Sequence, residues 1–557
     1  MTTSLQQRQH PPAASVDERK RRWAVVAGLV VAAFIGVLGP VLVSAWTGSL
    51  SIPHNDAWAY SKAAQTFART GHIHLLGWNS MSLVGMFVPL GPLGASIKAQ
   101  QCYVAVLALI GLAASYDVLR RDVGSRRAAL GLLVLVSWPG FGLLSTSMMT
   151  DMPAFAAIAV SLALGRRALE RPSWWLWALW AIVSFWGFTV REQAVVAPLG
   201  ILVAALWPRE WRTRAAWRSW LSRRTAAVIA LGAVLICADL VFDRWRNGLA
   251  NGGSPSGLFH WEGTERMVTM GPGVVLMLGL FLGPLIILVA RPARWSWTAR
   301  VTALAAFVLL VLAVFRYKAY LPQDYFERQG AYASAYLGIK PNLFPQELWD
   351  VLIGLSIVFS ALLVGMVAHR LRALRAELVV VIVLTLAGTM VELVAGQILF
   401  DRYLLPMVLP LAVLLLKEPV GPAPRARAGL AGVVWLVLTA ITTLIMLNAL
   451  NDDAATWKAA SAIVSRGEAK AAYVNAGFDW TAYYSATPSG SSDPNAEAGT
   501  FRQTRLFSDD QPCYVVAESL QLQPGWVLTE KSTYRKYVFF GGKGHLYVYR
   551  TAEKTCR

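Results

Sequence analysis

Two aspartates stand where proton transfer needs them. Asp56 lies in Ser51-Ile-Pro-His-Asn-Asp-Ala-Trp-Ala-Tyr60, shortly after the first long apolar run, and Asp151 in the very short turn Thr150-Asp-Met-Pro153 between two later ones. Paired carboxylates on one face suit general-base chemistry on a hydroxyl acceptor. Each is equally a helix-cap candidate. Ala57, Tyr60, Ala64, Phe67 and Ala68 recur at the spacing of an amphipathic surface helix behind Asp56. Pro153 suits the first turn of the helix behind Asp151. Cations are expected on the same face, in other connecting segments: Arg191 in Arg191-Glu192, Lys318 in Arg316-Tyr-Lys-Ala-Tyr-Leu-Pro322, and Arg402 in Phe400-Asp-Arg-Tyr-Leu-Leu-Pro406. A leaving phosphate at a membrane surface calls for such groups, arginine as a planar fork and lysine as a point charge. Their plain alternative is to be snorkelling interfacial side chains.

Tyr60, Tyr403 and Glu392 complete the candidate pocket. Glu392 is an ionisable residue inside an apolar run, a functional candidate by its position, although pairing with Arg402 explains it as well. His54, His72 and His74 occupy the loop of Asp56 and offer a divalent-metal alternative. Nothing fixes the distance from His54 to the His72-x-His74 pair, so neither metal nor other cofactor is assigned.

These residues are set among elements that composition identifies. The 557 residues are 56% hydrophobic and only 15% charged, against about 25% charged in an ordinary soluble chain. That excludes a soluble enzyme, and the apolar content excludes disorder. The formal charge of +19 falls in short clusters between apolar runs, such as Arg19–Arg22, Arg120-Arg121 with Arg126-Arg127, Arg166-Arg167, Arg209–Arg224 and Arg370–Arg375. Such clusters are the positive-inside signal and not a nucleic-acid footprint. Apolar runs near 23–46, 98–116, 127–147, 153–165, 174–189, 193–207, 225–242, 273–290, 300–315, 349–368, 378–397, 404–416 and 429–450 predict about thirteen spans. The N-terminus is then inside, and the loops 47–97, 243–272 and 316–348 are outside.

The sequence therefore divides into a basic cytoplasmic tail, 1–22, a multi-span domain, 23–450, and an extracytoplasmic segment, 451–557. In the last, a helix over Ala454–Val464 capped by Asp452 or Asp453 is expected. Strands are expected at Ala472–Asn475, Cys513–Ala517, Tyr537–Phe540 and His545–Tyr549, the last two joined at Gly541–Gly544, making a small α/β domain. Ser485–Thr500 reads as a loop. Cys513 and Cys556 are expected to form a disulfide there, whereas Cys102 and Cys237 read as small buried hydrophobes.

The arrangement resembles the GT-C superfamily of membrane glycosyltransferases that use polyprenyl-phosphate sugars, including protein O-mannosyltransferases and lipid A aminoarabinose transferases. The matching residues are Asn55-Asp56 with Tyr60, Ala64 and Gly71, then Asp151-Met-Pro153, and Arg402-Tyr-Leu-Leu-Pro406 with Pro410. Ala57 departs from the pattern, since many relatives carry a second acid there, and Asp151 stands where a Glu is common. The resemblance implies inverting sugar transfer outside the membrane, with Asp56 as base and Asp151 as supporting acid. Arg402 and Lys318, joined by Arg191, would hold the lipid phosphate. The implied partners are a polyprenyl-phosphate sugar, membrane lipids and a glycan, lipid or protein acceptor; the excess of Arg over Lys points, by association, to a bacterial plasma membrane and cell envelope. A transporter or flippase of a lipid-linked or polar solute is the rival reading, but it calls for ionisable groups at the midplane and matched halves. A scaffold displaying the outer segment is the third, and has no use for the paired acids.

Overall fold

The computed structural model describes residues 16–76, 83–171, 173–206, 223–249, 263–333, 337–338, 340–395, 398–417, 424–485, 512–520, 524–537 and 542–551. Most of the basic cluster 209–224, part of the loop 243–272, most of the stretch 485–500, Gly541 and Cys556 lie outside them. Every expected apolar run holds helix, and the chain is a polytopic helical membrane protein with a small C-terminal sheet. Among the described residues nine helices are long and apolar enough to cross a membrane. Four others are shorter than the roughly 20 residues a bilayer takes: Ser125–Val136, Trp174–Val190, Val196–Leu206 and Leu405–Leu416.

Their brevity has local causes. The expected run 127–147 breaks at Ser137-Trp-Pro-Gly140, because proline cannot continue the hydrogen-bond ladder. Gly140 takes φ +74°, and a Cβ there would lie 2.5 Å from the Tyr325 ring. Leu405–Leu416 is buried at every position, so it serves as the central pillar of the bundle and has no lipid-facing stripe. It packs against Ile97–Val123 and Ser125–Val136. Cys102 and Cys237, expected to be buried, are free and exposed on the flanks of apolar helices; a small hydrophobe is equally at home facing lipid tails.

After the first span the chain turns into the amphipathic helix Ala57–Thr70, which buries Ala57, Trp58, Tyr60 and Ala64 as its stripe requires. The C-terminal unit rests on this helix: Lys62 Nζ donates to the Ser485 carbonyl at 3.2 Å, and the Tyr483 hydroxyl meets Gln65 Oε1 at 3.0 Å.

One expectation for that unit is corrected. No separate capped helix begins at 454; the last span runs on as one helix, Arg425–Ser465, of 41 residues. Asp452 and Asp453 lie inside it, buried and paired with Lys340 and His54. Side-chain partners from other segments thus replace the capping role. The sheet has the order β1-β2-β4-β3, with β1 (Val474–Asn475) parallel to β2 (Tyr514–Ala517). β4 (Gly542–Thr551) is antiparallel to both β2 and β3 (Trp526–Lys536). The strand expected at 537–540 lies, but for Tyr537, outside the described residues. β3 was not expected, and its Thr-Glu-Lys-Ser-Thr-Tyr-Arg-Lys stretch is exposed on most positions. An edge strand wet on both faces shows no alternation to read. Cys513 is disulfide-bonded.

Candidate active site

Arg402 is the hub. It sits in a 3-10 turn, Asp401–Leu404, leading into the buried pillar helix, and is itself buried. Its guanidinium faces three carboxylates from three separate segments. Nη2 meets Asp56 Oδ2 at 3.2 Å, Nη1 lies 2.7 Å from Asp324 Oδ2, and Nε lies 3.7 Å from Asp151 Oδ1. Only the first is aligned as a hydrogen bond; Nε and Nη1 have no aligned acceptor among the described residues. Beside it Arg191 Nη1 donates to Asp151 Oδ1 at 2.7 Å and to Thr150 Oγ1 at 3.1 Å. Aromatic faces cradle both cations: Tyr403 lies 4.8 Å from Arg191, and Phe400 4.7 Å from Arg402, inside the range of cation–π attraction.

The capping alternative is answered by geometry. Asp56 holds the N-cap position of Ala57–Thr70 with helical dihedrals and makes no capping hydrogen bond. Asp151 is the first residue of Asp151–Glu170, and it too is turned to arginine. Tyr60 is buried beside them; burial raises its phenol above the ordinary value, with Asp56 and Asp151 adding to the effect and Arg191 opposing it. Burial also works against the charge of Arg402, but Asp324 and Asp151 hold it well above its usual range. Arg191 is raised the same way, chiefly by Asp151 against the cost of burial.

Asp324 and Asp401 were not singled out by the sequence reading. Burial raises the Asp324 carboxyl, and Asp56 and Asp151 reinforce this against Arg402. Asp401 accepts the backbone N–H groups of Tyr325 at 2.9 Å and Phe326 at 2.7 Å. It is nevertheless raised, by burial and the nearby Asp324 charge. The available signal was an acid between Pro322 and Tyr325-Phe326 in an outer loop, the same kind of placement that marked Asp56. Strain collects here as well. Three of the four non-glycine residues with positive φ among the described residues are Asn55 at +50°, Asp324 at +153° and Tyr332 at +38°. Such conformations cost about 1–3 kcal/mol each and persist only where the surroundings enforce them.

Other candidates are placed differently. Lys318 is exposed at the end of Trp297–Tyr317, outside the buried set. Glu392 is half-buried within electrostatic reach of Arg191 and Arg402, but no ion pair joins it to Arg402. His54 is buried against Asp453, whereas His72 and His74 are exposed. Among the described residues no group of three or more ligand side chains converges on a metal position.

Residues 92–241 match the model of a family described as dolichyl-phosphate-mannose-protein mannosyltransferase. That stretch contains Asp151 and Arg191 but neither Asp56 nor Arg402. Among solved structures, ArnT from Cupriavidus metallidurans bound to undecaprenyl phosphate aligns at 15% identity and TM-score 0.40, covering 96% of this chain and 98% of that one. The same protein in the apo state aligns at 16% identity and TM-score 0.37, covering 97% and 100%. No curated protein matches. The match over 92–241 makes the chain similar to a mannosyltransferase family of the GT-C superfamily of membrane glycosyltransferases.

Proposed function

We propose that this protein transfers a sugar, with inversion, from a polyprenyl-phosphate donor to a hydroxyl on an extracytoplasmic acceptor. The observation that carries the reading is the Arg402 fork. A buried guanidinium pairs with Asp56 while two of its donor nitrogens have no aligned acceptor among the described residues. In the reaction, Asp56 takes the proton of the acceptor hydroxyl. The acceptor oxygen bonds to the anomeric carbon as the bond from that carbon to the phosphate oxygen breaks. The electron pair leaves on the lipid phosphate, whose growing charge Arg402 and Arg191 stabilise. Fixed cations aimed at developing charge supply most of the rate enhancement in sites of this kind. Asp151, bonded to Arg191, supports the geometry, and Tyr60, Tyr403 and Glu392 border the sugar. Lys318, being exposed, would meet the donor at the membrane surface and not within the fork.

The description of the matched family names a dolichyl-phosphate-linked sugar, which supports a polyprenyl-phosphate donor here. Basic residues cluster on one set of loops, whereas the loops that carry Asp56, Asp151 and Arg402 hold only scattered charges of both signs, which supports an inside N-terminus and a site on the outer face; the excess of Arg over Lys supports a bacterial plasma membrane. A reporter fused after Arg557 should then read as extracytoplasmic, and one inserted between Arg120 and Arg127 as cytoplasmic; both on one side would contradict the proposed sidedness. The activity itself is tested by transfer of labelled sugar from a polyprenyl-phosphate donor in proteoliposomes. Movement of that lipid across the bilayer without transfer would favour the flippase reading.

A further inference from the structure

Beside the Arg402 cluster, a second buried polar group ties the same loops to the C-terminal helix. Asp453 is buried within Arg425–Ser465. Its Oδ2 accepts from His54 Nδ1, and also from the Tyr332 hydroxyl at 2.9 Å. His54 stands two residues before Asp56. Its carbonyl accepts the Ala57 N–H at 3.0 Å, closing the turn that presents Asp56. On the other side, the Tyr332 backbone N–H donates to the Asp324 carbonyl. One carboxylate oxygen therefore joins the loop of Asp56 to the loop of Asp324, and these are the two acids that Arg402 contacts most closely.

The backbone agrees with a joint under constraint. Asn55 and Tyr332, next to or within the two contacts, both hold positive φ, a conformation that surrounding contacts must enforce. The neighbouring Asp452 pairs with Lys340 at 2.9 Å, from the far end of the same loop as Tyr332. The helix is in turn fixed to the sheet, where Asn448 exchanges two hydrogen bonds with the Tyr537 backbone at 2.7 and 2.9 Å.

We propose that Asp453 is a positioning residue that sets Asp56 and Asp324 at the separation Arg402 requires, making the C-terminal helix part of the site. Only its effect on transfer rests on the function proposed above. Amide hydrogen exchange on the full-length protein in nanodiscs tests it without any donor. In Asp453→Asn, segments 52–60 and 324–333 should lose protection together while the membrane helices keep theirs. Tyr332→Phe should loosen 324–333 alone, and His54→Ala 52–60 alone. Unchanged exchange in both segments of Asp453→Asn would overturn the proposal. So would loss spread over the whole molecule in the mild Tyr332→Phe variant. With donor present, misplacement on the order of 1 Å costs roughly 100-fold in rate. Asp453→Asn should therefore lower kcat by about 10–100-fold at nearly constant donor KM, and add nothing to an Asp56→Asn background. Additive losses would contradict action through Asp56. If the wild type transfers nothing, the proposed function fails, and the exchange pattern still decides the positioning role.

Discussion

Arg402 concentrates the electrostatics of the site, because one guanidinium answers Asp56, Asp151 and Asp324 at once. Removing one partner of a buried ion pair costs about 3–5 kcal/mol, since the charge left behind is uncompensated. Arg402→Ala would therefore confuse folding with function. Arg402→Lys keeps the charge but not the planar fork. It should remain folded, by thermal unfolding of the detergent-solubilised protein, and lose most transfer. Wild-type transfer by Arg402→Lys would remove the fork from the mechanism. Asp56, Asp151 and Arg402 were legible in the sequence because they stand in the connecting segments that lack the basic clusters, where charged residues are few. Asp324 was not, because its loop carries no periodicity and its relevance comes from a fold that brings position 324 to position 402. Lys318 was read by charge and location; the helix end that bears it leaves its side chain exposed, apart from the buried set.

At the scale of elements, apolar length located the helices well, whereas their ends were decided by contacts far away in sequence. The last helix shows this most clearly. Asp452-Asp453 reads as a cap, but both side chains are consumed by Lys340 and His54, so the helix continues through them. A proline substitution separates the two descriptions. A new helix capped at 452 would tolerate proline at 451, just outside its start. A continuous helix loses an interior hydrogen bond and suffers a ring clash worth about 3 kcal/mol or more. Asn451→Pro should thus lower the thermal midpoint well beyond the Asn451→Ala control. Equal midpoints would mean that the helix is broken there. β3 was missed for a different reason, since its polar residues are exposed and leave no hydrophobic pattern.

For the whole molecule, the segments between and beyond the spans carry carboxyl groups that burial raises above the ordinary range. Glu327 is pushed up to about 8, by burial and then by Asp324. Asp479 and Glu518 are raised too, each by burial first. Between the ordinary carboxylate range near pH 4 and about pH 8 the folded state therefore binds more protons than the unfolded chain, and stability must fall as pH rises. The thermal midpoint of the full-length protein should be higher near pH 5 than near pH 8. A midpoint that climbs over that interval would show these groups to be ionised in the folded state. The central claim is that this outer face carries out glycosyl transfer with Asp56 as base. Asn is nearly as good a helix cap as Asp, and no capping bond is made by Asp56 in any case, so Asp56→Asn spares the helix start and removes the base together with its ion pair to Arg402, a loss that the thermal midpoint reports. The most direct measurement is incorporation of labelled sugar from a polyprenyl-phosphate donor in proteoliposomes, comparing wild type with Asp56→Asn at matched expression and thermal midpoint. A general base contributes about 10²–10⁴-fold, so the account predicts transfer by the wild type and a loss of that order in Asp56→Asn. Transfer by Asp56→Asn at near the wild-type rate would contradict it.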